Sequence, residues 1–289
     1  MTPGFGEVAE QLRRSTVQVH VGGERGEGGS GSGVLWNSTG LVVTNAHVAR
    51  GPKATVTLWD GRKFAAEVQA RDEARDLAKL QIQSNQLPAA AIGDSSRLRP
   101  GELVVAVGNP LGFIGALTTG VIHDVGPVPG LSRRDWVQAD VRLAPGNSGG
   151  PLADSSGRVI GINSMVLSPQ RGGGLGLAVP SNAVREFLAR GGDAPRIGVA
   201  VRPVTVRFKQ RDGPGMVVLE VQPGTPAAAA SLMIGDVIVG AHGRLFDTWD
   251  DLSWAIEHAA LRVPLQFLRG DRRTIRETVV HMGKLAQAA

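Results

Sequence analysis

Cysteine is absent from all 289 residues, so no disulfide braces the fold and neither thiolate catalysis nor a thiolate metal site is open to it. Tyrosine is absent too, and aromatic residues make up only 4% of the chain, poor material for stacking nucleic-acid bases. No stretch approaches the ~20 apolar residues of a membrane-spanning helix. Met1 to Glu7 lacks the basic and apolar pattern of a signal peptide, so the sequence leaves the compartment open. His20, His123, His242, His258 and His281 show no paired spacing of the H-E-x-x-H kind, and no Walker motif is present. Neither a metal nor another cofactor is expected.

What is present reads as globular and rich in loops: 42% hydrophobic residues, 40 Gly and 17 Pro, at a length sufficient for about two domains. The formal net charge of +5 raises the question of nucleic acid or an anionic surface. Arg13-Arg14, Arg133-Arg134 and the segment Arg269 to Arg276 are scattered among acids, however, which describes solvated faces rather than a binding footprint.

Short apolar alternations dominate the first two thirds. After a predicted helix over Glu7 to Arg14, strands are expected at Thr16–Val21, Gly33–Asn37, Leu41–Asn45, Ala54–Leu58, Phe64–Ala70 and Leu77–Ile82. Turn signals such as Asn37-Ser38-Thr39-Gly40 and Asp60-Gly61 separate them, and six such strands suit a small closed antiparallel barrel. A second set follows at Leu103–Gly108, Leu117–His123, Trp136–Val141, Gly150–Ala153, Val159–Met165 and Leu175–Val179, then a helix over Asn182 to Arg190. The glycine-rich run Gly22 to Gly33 formally contains G-x-G-x-x-G. A strand rather than a helix follows it, so it is read as a flexible surface loop and not a phosphate cradle. From Arg196 the composition changes: strands at Val217–Val221, Val237–Val239 and Leu265–Leu268 and a helix over Thr248 to Ala260 make a small α+β module.

One stretch carries chemistry. Ala144-Pro145-Gly146-Asn147-Ser148-Gly149-Gly150-Pro151-Leu152 sets a single hydroxyl among three glycines between two prolines. Such a loop can present a serine with outward backbone N–H groups beside it, which is what acyl transfer requires. It can equally be an ordinary turn, or the G-x-S-x-G elbow of α/β-hydrolases. The elbow must lead into a helix and precede its histidine. Pro151 and the β-prone residues beyond it oppose a helix, and the best histidine, in Thr44-Asn45-Ala46-His47-Val48, lies earlier. Asp76, in Arg75-Asp76-Leu77-Ala78, completes the order His, Asp, Ser of the chymotrypsin arrangement. Two barrels side by side could bring the three to one cleft, where imidazole takes the serine proton and a carboxylate orients the ring.

These three motifs resemble those of the HtrA/Deg family, trypsin-like serine proteases that carry PDZ domains. The likeness extends through Gly108-Asn109-Pro110-Leu111-Gly112, Val137-Gln138-Ala139-Asp140, Gly161-Ile162-Asn163-Ser164 and Ala178-Val179-Pro180-Ser181-Asn182. It implies a mainly β chain: a chymotrypsin-like double antiparallel β-barrel over residues 1–190, with barrels at about 15–95 and 100–180, a linker at 191–195, and a small α+β PDZ domain over 196–285. It implies Ser148 as nucleophile, His47 as general base and acid, and Asp76 as orienter. Asp72 is the nearest rival carboxylate, but only Asp76 carries the Leu-Ala that follows the family's aspartate. The N–H groups of Gly146 and Ser148 would form the oxyanion hole.

By position, Leu143 and Val166 match residues lining the family's S1 pocket, with Arg142 close by where a trypsin-like pocket carries an acid. Aliphatic walls and a cation imply cleavage after Val, Ala or Leu and not after Lys or Arg. Plain core packing is the competing reading of Leu143 and Val166. In the C-terminal module, Arg196-Ile197-Gly198-Val199 would cradle the carboxylate of an extended peptide, with Leu252 and Ile256 shaping the side-chain pocket. Ser231-Leu232 departs from the family's usual Gly-Leu.

The implied activity is ATP-independent hydrolysis of misfolded or unfolded polypeptides, with peptides bound at the PDZ domain. A homotrimer and an extracytoplasmic location are implied as well. A chaperone-like or scaffold protein with a resting cleft is the alternative from another class, and a sequence-specific processing protease differs only in substrate choice.

Overall fold

A computed structural model of the protein describes all residues except 1–3, 23–28, 110–114, 130, 168–173, 192–195, 208–211, 271–273 and 283–289. The chain divides into two units, one of Met1–Gly126 with Asp135–Asp193 and one of Pro127–Arg134 with Ala194–Ala289.

In the first unit, helix α1 (Phe5–Ser15) buries Val8 and Leu12 and delivers the chain to β1 (Thr16–His20). Strands β2 (Ser30–Leu35), β3 (Leu41–Thr44), β4 (Lys53–Thr57), β5 (Lys63–Asp72) and β6 (Leu77–Ile82) complete a closed barrel in the order β1-β2-β3-β6-β5-β4. Alternation sets which side chains enter it. Val17 and Val19 of β1, Val42 of β3, Val56 of β4 and Leu80 and Ile82 of β6 fill the core, each at most 1% exposed. The β2–β3 turn is held by Asn37, whose Oδ1 accepts from the N–H groups of Thr39 and Leu41, both at 3.0 Å.

The second barrel follows the same logic with β7 (Leu103–Gly108), β8 (Ala116–Val128), β9 (Ser132–Ala139), β10 (Pro151–Asp154), β11 (Val159–Val166) and β12 (Gly176–Pro180). Its order is β10-β11-β12-β9-β8-β7, closed where β10 pairs with β7. Val104, Ile122, Val137, Leu152 and Ile160 fill it. Pro151 does open a strand, which removes the elbow reading. Helix α2 (Ser181–Ala189) follows at once from Pro180 and buries Val184 and Phe187.

One expectation fails here. The run up to Gly33 is not all surface loop: β2 begins at Ser30, and Gly31, Ser32 and Gly33 are buried. The glycines are there for closeness. A Cβ on Gly31 would lie 2.9 Å from the Ser148 carbonyl oxygen and 2.7 Å from a Val48 methyl, and one on Gly33 would meet Val42, Val19 and Val17. Residues 23–28 lie outside the described residues.

The second unit is a sheet in the order β13 (Val199–Arg207), β14 (Asp212–Val221), β15 (Val237–Ala241), β17 (Arg262–Leu268), β18 (Ile275–His281), with the short β16 (Arg244–Leu245) paired to β15. Helices α3 (Pro226–Ala229) and α4 (Asp251–Glu257) cover a core of Met216, Val218, Ile238, Phe246, Leu265 and Val280. Sequence patterning misses β13, β18 and α3 and extends α4 too far at both ends. Ahead of α4, the Asp251 carboxylate accepts from the N–H groups of Asp247 and Thr248, which makes those residues a side-chain-closed turn rather than helix. The same carboxylate lies below the usual carboxylate range: burial raises it, but the hydrogen bonds from the Thr248 hydroxyl and the two N–H groups and from Arg133 outweigh that.

Candidate active site

Three loops of the first unit converge. The first leaves β3 as a tight turn in which Val48 and Ala49 both donate to the Asn45 carbonyl, at 3.2 and 3.1 Å. Ala46 and Val48 are buried on either side of His47, whose ring is left 43% exposed and open to a substrate.

The second is the β5–β6 turn. Asp72 pairs with Leu77 at its base, and within it the Asp72 carboxylate accepts from the Arg75 N–H at 3.0 Å and from its guanidinium at 2.8 Å, a buried ion pair. Asp72, the rival carboxylate, is therefore occupied in shaping the turn. Asp76 adopts φ 54, a conformation that costs a non-glycine residue on the order of 1 kcal/mol and is tolerated best by Asp and Asn. That backbone turns its carboxylate toward His47: Oδ1 and Oδ2 are each 2.9 Å from the ring Nδ1, and Oδ1 also accepts the His47 backbone N–H at 3.1 Å. Since the carboxylate only accepts, Nδ1 donates its proton there, which leaves Nε2 as the ring nitrogen free to exchange a proton. Asn45 ties the first two loops by donating its side-chain N–H to the Asp76 carbonyl at 2.9 Å.

The third loop carries Ser148. The Asn147 N–H donates to the Ala144 carbonyl at 3.0 Å across Pro145 and Gly146, and Gly146 has φ 104, which makes a type II turn with proline and glycine at their preferred positions. The N–H groups of Asn147, Gly149 and Gly150 go to the carbonyls of Ala144, Asn163 and Asn147. Those of Gly146 and Ser148 have no acceptor among the described residues. Two free donors flank the hydroxyl, the pattern an oxyanion hole needs.

Ser164, to which sequence reading gave no role, joins the loops. The Ser148 hydroxyl donates to the Ser164 carbonyl at 3.0 Å, and the Ser164 hydroxyl donates to Asp76 Oδ2. Ser164 is 3% exposed. Its only sequence signal is its place in Gly161-Ile162-Asn163-Ser164. Ser32 is the other residue overlooked, hidden in the glycine-rich run.

Leu143 and Val166 reach one spot. Val166 pairs with Gly176 across β11 and β12, and a Cβ on Gly176 would lie 3.1 Å from Leu143 Cδ1. Val166 is 42% exposed, whereas Leu143 is half-buried and packs against the core of the second barrel. Arg142 is exposed and makes no hydrogen bond or ion pair among the described residues.

In the second unit, Ile197 is buried and Gly198 has φ 83, with a Cβ there 2.3 Å from the Thr225 side chain, so only glycine fits. Arg196 is exposed. Leu252 and Ile256 of α4 belong to the same apolar cluster as the half-buried Val199 and Val201 of β13, which among the described residues pairs on one side only, with β14. Among the described residues, no cluster of three or more His, Asp or Glu side chains could hold a metal, and no helix is long and apolar enough to cross a membrane.

Comparison with known proteins identifies both domains. Residues 31–162 match the trypsin-like peptidase domain and residues 195–278 the PDZ domain. The chain is 38% identical over 277 residues to the putative serine protease HhoA of Synechocystis sp., covering 86% of this chain and 70% of that protein. It is 36% identical to the serine protease Do-like HtrA of Bacillus subtilis over 255 residues, 78% of this chain and 57% of that one. Against a second Synechocystis relative, the putative serine protease HhoB, it spans 62% of the relative's length. A solved structure of the HtrA-type protease AlgW with a tripeptide matches at a TM-score of 0.65 and 28% identity, covering 97% of each chain.

Proposed function

The chain belongs to the HtrA/Deg family of trypsin-like serine proteases with a PDZ domain, and from that premise we propose that it hydrolyses unfolded polypeptides through a Ser148–His47–Asp76 triad. The contact of His47 with Asp76, and the bonds by which Ser164 ties Ser148 to that carboxylate, are the observation that supports this reading. The Ser148 hydroxyl, which donates to the Ser164 carbonyl at 3.0 Å and not to His47, must first leave that bond to reach Nε2. The oxygen then attacks the scissile carbonyl as Nε2 takes the proton, and Asp76 holds the Nδ1–H side of the imidazolium. The oxyanion falls to the Gly146 and Ser148 N–H groups, each worth ~3 kcal/mol of transition-state stabilisation. Collapse expels the amine, which takes its proton from His47, and leaves an acyl-enzyme that water opens by the same steps.

Substrate choice is set by Leu143 and Val166, aliphatic walls suited to Val, Ala or Leu at P1, while the unpaired Arg142 disfavours Lys and Arg. A peptide-library cleavage profile is expected to favour the aliphatic residues; a preference for Arg or Lys would overturn this pocket assignment. Casein unfolded beforehand is the matching protein substrate, cleaved without ATP by the native sequence and not by Ser148→Ala.

Arg196 to Val199 and the edge strand β13 suit a peptide that adds as a strand, its carboxylate in the Ile197-Gly198 turn and its last side chain against Leu252 and Ile256. Calorimetric titration should register peptides with apolar C-termini and lose most of that binding when the carboxylate is amidated. The family also supports a homotrimer, read by light scattering, and an extracytoplasmic location, read by cell fractionation.

A further inference from the structure

Ser32 lies on β2, in the barrel opposite the Ser148 loop, and is 0% exposed. Its backbone N–H donates to the Ser148 carbonyl at 2.8 Å. Its hydroxyl donates to the Gly146 carbonyl at 2.7 Å and accepts from the Asn109 N–H at 2.8 Å. Its carbonyl accepts the Thr44 hydroxyl at 2.6 Å. A backbone N–H can only donate, so the Asn109 contact uses a lone pair of the Ser32 oxygen and leaves the hydroxyl proton for Gly146.

The peptide groups of the Ser148 loop show what those bonds do. The Gly146–Asn147 peptide is gripped at its N–H by Ala144 and at its carbonyl by the Ser32 hydroxyl. The Ser148–Gly149 peptide is gripped at its N–H by Asn163 and at its carbonyl by the Ser32 N–H. Between them, the Asn147 carbonyl accepts from Gly150. Both gripped peptides thus flank an oxyanion donor: Gly146 N–H lies just before the first, and Ser148 N–H between the two. Ser32 holds each from across the two barrels. The approach is tight enough that a Cβ on Gly149 would lie 2.1 Å from the Ser32 carbonyl oxygen.

We infer that Ser32 is a positioning residue that holds the Gly146 and Ser148 N–H groups in their oxyanion-binding orientation. It touches neither substrate nor reacting atoms and acts through the two carbonyls. The inference rests on the reading of Ser148 as nucleophile. Removing the hydroxyl frees the Gly146 carbonyl and strands the Asn109 N–H, so the Gly146 peptide can turn away from the developing charge. Misplacement by about 1 Å in such a site costs on the order of 10²-fold in rate.

The test is Ser32→Ala in the full chain, assayed on a cleavable peptide and on a peptide boronic acid, which forms a tetrahedral adduct with an active serine. The kcat is expected to fall roughly tenfold or more while KM stays within about twofold, and the boronate inhibition constant to rise as kcat falls. Val56→Ala, a cavity in the core of the same barrel, serves as a stability control and should lower the melting temperature without that split. An unchanged kcat, or a boronate constant that follows KM instead of kcat, would overturn the inference. Should Ser32→Ala fail to fold, Ser32→Cys, nearly isosteric and a weak donor, carries the same test with the same outcomes. An inactive native sequence that no boronate inhibits would instead sink the protease reading itself.

Discussion

Asp76 and Gly149 show how single residues set this site. Asp76 holds the ring proton of His47 on Nδ1 through a carboxylate that also takes the Ser164 hydroxyl. Asp76→Asn keeps the shape but favours the wrong imidazole tautomer, so kcat should fall by about 10⁴-fold with little change in melting temperature. Stopped assays at high enzyme concentration, paired with thermal unfolding, measure both. Gly149 has φ 85 and its virtual Cβ falls 2.2 Å from the Thr44 hydroxyl, so Gly149→Ala is expected to displace the loop and abolish boronate binding. The His47–Asp76 pair and the turn that carries Ser148 were legible in the sequence because each residue sits in its own spaced motif. Ser164 and Ser32 were not. Their roles depend on partners distant in the chain, the Asp76 carboxylate and Ser148 hydroxyl for Ser164 and the Gly146 and Ser148 carbonyls for Ser32.

At the scale of elements, the barrels were legible from short strands that alternate, as with Val17 and Val19 on β1 and Leu80 and Ile82 on β6, or run apolar throughout, as with Leu103 to Val107 on β7. Leu80→Ala should cost about 3 kcal/mol in denaturant unfolding, as for other fully buried leucines. In the second unit two edge strands were missed: β13 has Val199, Val201, Val204 and Val206 in alternation but Pro203 breaks the period, and β18 is mostly exposed. Other elements are joined by polar links that patterning cannot see. Asp94 accepts from Ser96 N–H and hydroxyl and from the Asn182 side chain at the start of α2. These bonds, that of the Ser96 hydroxyl foremost and then Asn182, hold its carboxyl at about 2, against an ordinary 3.8. With the folded value below the unfolded one, the link is fully present above pH ~4 and is lost as pH falls through about 2. Asp94→Ala should accordingly flatten the acid limb of the stability–pH curve over that window, seen by circular dichroism.

For the whole molecule, the missing cysteines make a plain statement: the melting temperature should be the same with and without a strong reductant, since no disulfide holds either unit. Two six-stranded barrels bring the three loops together, and the sheet unit adds β13, an edge strand among the described residues, in one apolar cluster with Leu252 and Ile256 of α4. Neither the convergence nor the edge is written at any one position of the sequence. The measurement closest to the central claim is intact-mass analysis after a fluorophosphonate probe, with unfolded casein and apolar C-terminal peptides present. The account expects one adduct per chain, mapped to Ser148 and lost in Ser148→Ala and His47→Ala. No adduct on the native sequence under those conditions, or one that persists in Ser148→Ala, would contradict it.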